Sequence, residues 1–241
     1  MPKILAAALA ASLLAAPASL AGEMKLRPVA VVELFTSQGC SSCPPADVLL
    51  GELAQRPDVI TLGYHVDYWD YIGWTDTFGS ERYSDLQRAY ARNFGSSRVY
   101  TPQMVINGEV EVIGSRREEV LAAIAAVGME LQIDLVRDDE YLNIQIGGTG
   151  SEEDAVVWLI SFITSAAVDV ARGENGGRQL PYSHIVTGRQ VLGMYDGDDG
   201  AEMRVPLMDV LIGDADGVVV LVQHENGRLP GKVLGAASLT L

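Results

Sequence analysis

Cysteine is scarce in this chain, with two in 241 residues, and the scarcity constrains what the pair can be for. A disulfide-framed exported scaffold spreads several cysteines along its length. Here Cys40 and Cys43 stand three residues apart, and a bridge closing so short a loop removes little unfolded-state entropy. Stabilisation is a poor reason for such a pair, and redox or metal chemistry is a better one. Basic charge is also short: 17 Lys and Arg face 32 Asp and Glu, for a net charge of −15. That balance argues against nucleic acid as a partner, because phosphate binding needs clustered Lys and Arg. Beyond the N-terminus there is no apolar run of the roughly 18 to 20 residues that a membrane-spanning helix needs. Phosphate loops, acid/base dyads and a Ser-His-Asp order are missing as well.

What is present begins with an export signal. Lys3 supplies a positive start, Ile4 to Ala16 an apolar run too short for a lone anchor, and Ser19-Leu20-Ala21 a small-residue cleavage site. Residues 1–21 are therefore expected to be removed, and no cysteine follows that would take a lipid. The expected location is the periplasm or the exterior, with no membrane insertion after signal cleavage. At 48% hydrophobic and 20% charged residues, the chain has an ordinary globular composition.

The periodicities divide what remains into residues 22–128 and 129–241. Val29 to Phe35 reads as a buried strand, followed by the turn-rich Thr36 to Pro45. Ala46, Leu49, Leu50 and Leu53 then recur at helical spacing, and Val59 to Val66 is a second strand. Tyr83, Leu86, Tyr90 and Phe94 line a second helix. Gln103 to Ile106 and Val110 to Ile113 read as a hairpin around Asn107-Gly108. Ser115 with Glu118 predicts a capping box for a third helix, which Gly128 is placed to end. The order is β-α-β-α-β-β-α. After Gly128, alternating segments at Leu131 to Leu135 and Leu142 to Ile146 precede strands expected at 155–163, 185–192, 218–223 and 233–241.

The chemistry sits in Thr36-Ser37-Gln38-Gly39-Cys40-Ser41-Ser42-Cys43-Pro44-Pro45. A Cys-x-x-Cys between a buried strand and a helix closes a small disulfide reversibly, and the helix N-terminus favours a thiolate. Cys40 is expected to be the more exposed sulfur, with the lower pKa, and to attack a partner disulfide. Cys43, shielded by the helix, resolves the mixed disulfide. Pro44 disfavours a helical conformation at Cys43 and suits the first helical turn itself. No second Cys-x-x-Cys or His-x-x-x-His exists to complete a zinc site. Thr101-Pro102 leads into a predicted strand. In a thioredoxin fold a cis-proline at this point turns the Thr101 backbone towards the dithiol, where it pairs with substrate.

The run Glu33 to Asp47 resembles the signature of the secreted bacterial family named domain of unknown function 1223. His65-Val66-Asp67-Tyr68-Trp69-Asp70, Gly73-Trp74 and Tyr100-Thr101-Pro102-Gln103 are similar to its other recurring stretches. The resemblance covers nearly the whole mature chain. It implies an α/β thioredoxin-like domain followed by a β-rich, sandwich-like C-terminal extension, with no activity attached. Of the thioredoxin pattern itself, the dithiol positions and Pro102 carry over, while the tryptophan before the first cysteine does not.

His65 and Asp67 follow the second strand, where such a fold places residues beside the dithiol. They are candidate auxiliary groups, His65 as a base or metal ligand and Asp67, or Asp70 beyond it, as a proton carrier. The plain alternative is a satisfied histidine under a lip of aromatic side chains. Three functions remain open. One is a thiol–disulfide oxidoreductase acting on exported protein thiols or disulfides, without a cofactor. A second is a module holding a soft ion such as Cu(I) on Cys40, Cys43 and His65. The third is an interaction module whose disulfide is structural.

Overall fold

The apolar run before the cysteines forms β1 (Ala30–Thr36), in which every residue is buried. Near-continuous apolar sequence is what a strand covered on both faces requires. The computed structural model describes residues 27–149 and 155–241, so the export signal expected over 1–21 lies outside the described residues. β1 pairs in parallel with β2 (Val59–His65) and antiparallel with β3 (Gln103–Ile106), which turns back into β4 (Val110–Ile113). α1 (Pro44–Leu53) joins β1 to β2, α2 (Glu81–Asn93) precedes β3, and α3 (Arg117–Ala126) follows β4. The order read from the sequence is present. Alternate β1 residues face opposite ways. Ala30, Val32 and Leu34 pack under α1 and α3, through Leu49, Leu50, Leu53, Val120 and Ile124. Val31 and Phe35 join Leu62, Tyr64, Tyr83 and Tyr90 on the α2 side.

The rest of the chain is mostly strand: β5 (Ile133–Arg137), β6 (Tyr141–Ile146), β7 (Ala155–Val170), β8 (Arg178–Tyr195), β9 (Ala201–Pro206), the short α4 (Leu207–Val210), β10 (Gly217–Asn226) and β11 (Leu229–Thr240). Its strands do not form a sheet apart. The eight-stranded sheet runs β11-β10-β7-β8-β2-β1-β3-β4, so hydrogen bonding crosses from the second half of the chain into the first at β8 and β2. The join is a parallel contact at Gly63 and Ile185. A second sheet, β5-β6-β9, lays Leu142, Ile144 and Ile146 on Val157, Leu159, Val218, Val220 and Val222. The molecule is mixed α/β with a predominantly sheet core.

Several local expectations need correcting. β7 and β8 extend well beyond the predicted segments as one long hairpin whose tip is residues 171–177. β9 was not foreseen. The Ser115–Glu118 capping box does not form, because Arg116 N donates to Ile113 O and carries the turn one residue further. Arg116 then holds the N-cap position with no side-chain cap. Val127 after α3 is extended, so Gly128 does not close the helix with a left-handed turn.

The predicted hairpin turn forms, with Asn107 at φ 48° and Gly108 at φ 68°. Asn107 is fully buried and knits four segments. Its Oδ1 accepts from Val31 N at 2.7 Å, its Nδ2 donates to Gly128 O at 3.2 Å, and its carbonyl accepts from Val233 N at 2.8 Å. β11 comes so close that a Cβ at Gly108 would lie 1.9 Å from Gly231 O. Gly108→Ala should therefore cost about 3 kcal/mol or more, the left-handed backbone penalty and a backbone clash acting together. Urea unfolding of variant and parent measures this, and an unchanged midpoint would contradict the close approach.

Candidate functional site

Pro44 and Pro45 open α1, where their missing N–H groups cost nothing, and Cys43 takes the N-cap position. Cys43 has φ −78° and ψ −36°, a helical conformation, contrary to the expectation from Pro44. The reason is local bonding. Its N–H donates to Cys40 O at 3.2 Å, and its carbonyl accepts from Ala46 N and Asp47 N. Cys40 and Cys43 are joined as a disulfide, with Cα atoms 5.4 Å apart. The expected difference in exposure is absent: Cys40 is 1% exposed and Cys43 0%.

On one flank lies the Thr101–Pro102 bond, which is cis. Cys40 Sγ and Ser42 Oγ are 3.4 Å apart, and Ser42 Oγ donates to Thr101 O, also at 3.4 Å. Trp69 Nε1 donates to Thr101 Oγ1 at 2.7 Å. Trp69 also stacks on Tyr71, which is 80% exposed. Thr101 O thus lies within reach of Ser42, whose hydroxyl borders Cys40 Sγ.

Beneath it is a buried polar cluster. His65 Nδ1 lies 2.8 Å from Asp76 Oδ2 and 3.1 Å from Oδ1. The imidazole is packed edge-on to Tyr182 and Phe78. Asp76 also accepts from Gln38 N at 2.7 Å and Phe78 N at 2.9 Å. Burial works against the Asp76 charge, but His65 and these backbone donors outweigh it and hold the carboxyl below its ordinary value. Asp47, one helical turn past Cys43, is in the opposite state. Burial pushes it from 3.8 up to about 7; a charge on His65 and the Thr36 hydroxyl oppose the shift, and Asp76 adds to it. Its Oδ2 has no hydrogen-bond partner.

His65 therefore sits in the site as a paired, buried histidine. Asp67 turns elsewhere, accepting from Ser84 Oγ of α2 at 2.5 Å. Among the described residues no group of three His, Cys, Asp or Glu side chains is arranged to hold a metal ion. Sequence reasoning missed Asp47, Asp76 and Tyr182, and also Asn175 of the hairpin tip, whose Nδ2 donates to Gln38 O and Cys40 O at 3.0 Å each. Only Asp47 carried a signal, an acidic residue on the apolar face of α1 beside Ala46 and Leu50.

Asp47 has a measurable consequence. Folded, it keeps its proton up to about pH 7; unfolded, it releases it near 3.8. The stability it contributes is thus fully present below the unfolded value and is lost as pH rises through 7. Asp47→Asn cannot ionise, so its stability relative to the parent should grow by about 3 kcal/mol between pH 5 and pH 8, two pH units of titration. Guanidinium unfolding at the two pH values measures it. A constant difference would show that Asp47 titrates normally.

Comparison with known proteins agrees with this architecture. A crystal structure of a protein from Agrobacterium tumefaciens is similar to the chain at 35% identity and a TM-score of 0.80, over 88% of this chain and 95% of that one. No curated protein matches. The family model described as protein of unknown function (DUF1223) matches residues 31–223, and the chain belongs to that family.

Proposed function

We propose that this protein is a thiol–disulfide oxidoreductase of the periplasm or cell exterior, acting on exported proteins through Cys40 and Cys43. The observation that carries the reading is the Cys40–Cys43 disulfide at the start of α1, bordered by Thr101 and Pro102. In this reading residues 22–128 are a thioredoxin-like domain and 129–241 its β-rich extension. The strand order β2-β1-β3-β4, with α1 and α3 on one face and α2 on the other, supports that assignment.

The exchange balances without a cofactor. A partner thiolate attacks Cys40 Sγ, the S–S bond breaks, and Cys43 leaves as a thiolate that takes up a proton. Asp47, the protonated carboxyl nearest along α1, is the group proposed to supply it. A second partner thiolate then attacks the partner sulfur and releases Cys40. Two partner thiols have become one disulfide, and Cys40 and Cys43 are reduced. Run backwards, the same steps reduce a partner disulfide. Thr101 offers its backbone to the partner chain beside Cys40.

The burial of both cysteines favours a second reading, an interaction module with a structural disulfide. One experiment separates the two. Cys43→Ser, expressed with its export signal, should accumulate mixed disulfides with partner proteins through Cys40. Cys40→Ser should trap at least about tenfold less, because its remaining thiol is the resolving one. Diagonal gels without and then with reductant read this out. If neither variant traps partners under mildly oxidising conditions, the interaction module takes over.

A further inference from the structure

The disulfide is sealed although Ser41 and Ser42 beside it are exposed. Part of the cover comes from far along the sequence. At the tip of the β7–β8 hairpin, Asn175 Nδ2 donates to Gln38 O and Cys40 O, and Glu174 Oε2 accepts from Ser41 N at 3.3 Å. Asn175 is itself held by Arg178 Nη1, which donates to its Oδ1 at 2.7 Å. Three backbone groups of the Cys-x-x-Cys loop are thereby committed to the hairpin tip.

We propose that residues 171–177 form a strap over the Cys40–Cys43 disulfide, which lifts to admit an extended, cysteine-bearing polypeptide segment. The purpose rests on the exchange function above; the test of the strap does not. An attacking thiolate approaches Cys40 Sγ in line with the S–S bond, and a residue 1% exposed leaves no such path. Other elements around the pair are poor candidates to move. β1 and α1 are pinned in the core, and Trp69 is tied to Thr101. The strap is different. Asn175 is its one buried residue, so lifting it exposes little apolar surface. It contains Gly173 and Gly177, at φ 77° and 79°, while its base is fixed by Val170, Leu180 and Tyr182. Once lifted, it leaves Gln38 O and Cys40 O as acceptors and Ser41 N as a donor. An extended backbone supplies the complementary donors and acceptor, which a small thiol does not.

The test is the rate at which dithiothreitol reduces the folded protein, followed by alkylation of the released thiols. Each turnover converts one dithiothreitol to its cyclic disulfide and Cys40–Cys43 to two thiols. Asn175→Ala, which removes two hydrogen bonds to the loop, should speed reduction about 10-fold. Glu174→Ala, at an exposed position that keeps the fold, should speed it about 3-fold. In 6 M guanidinium all three proteins should react alike. Reduction of both folded variants at the parent rate overturns the strap. The two proposals fail separately. Faster reduction with no partners trapped by Cys43→Ser keeps the strap and removes the exchange function. Trapped partners with unchanged reduction rates do the reverse.

Discussion

The dithiol loop depends on a buried carboxylate that has to stay charged. Asp76 accepts from His65, from the backbone of Gln38 and from Phe78, and its own N–H donates to Asp70 Oδ1. Those contacts tie the end of β2, the approach to Cys40 and the 67–80 segment to one point. Removing a buried charge's partners leaves it uncompensated, at a cost of several kcal/mol. Loop and strand end are thus held in one relative position. The Gln38 side chain extends the arrangement, accepting from Trp74 Nε1 and donating to Thr77 Oγ1.

Two carboxyl groups in this cluster resolve the same burial in opposite ways. Asp76 has donors and ionises readily; Asp47 has too few and keeps its proton. Environment, not residue type, sets the difference. The cluster therefore holds a neutral acid and a fixed anion together in the interior.

Much of the first half was legible because its signals are local. The β1 run, the helical spacing from Ala46 to Leu53 and the Asn107-Gly108 turn each state their structure within a few residues. The cysteine pair and Thr101-Pro102 were likewise recognisable as short motifs. What could not be read depends on distance. Nothing near Asn175 announces Cys40, 135 positions away in sequence, and nothing near His65 selects Asp76 over Asp67 as its partner. The far half of the β7–β8 hairpin was hidden for a different reason. Pro181 and the glycines of the tip interrupt the strand-like pattern, yet the pairing runs through to Val170 and Arg178. The failed capping box belongs to a third kind, a one-residue shift imposed by the turn before it.

The parallel join at Gly63 and Ile185 carries a consequence for dissecting the molecule. β2 is buried along its whole length, and β8 lies on the side of it away from β1. Cut away from that neighbour, the apolar β2 would be uncovered around Gly63, an open sheet margin of the kind on which chains assemble into aggregates. The second half of the chain thus covers part of the first half's sheet edge. A gene trimmed to the cysteine-bearing portion would encode a sticky fragment rather than a smaller working protein.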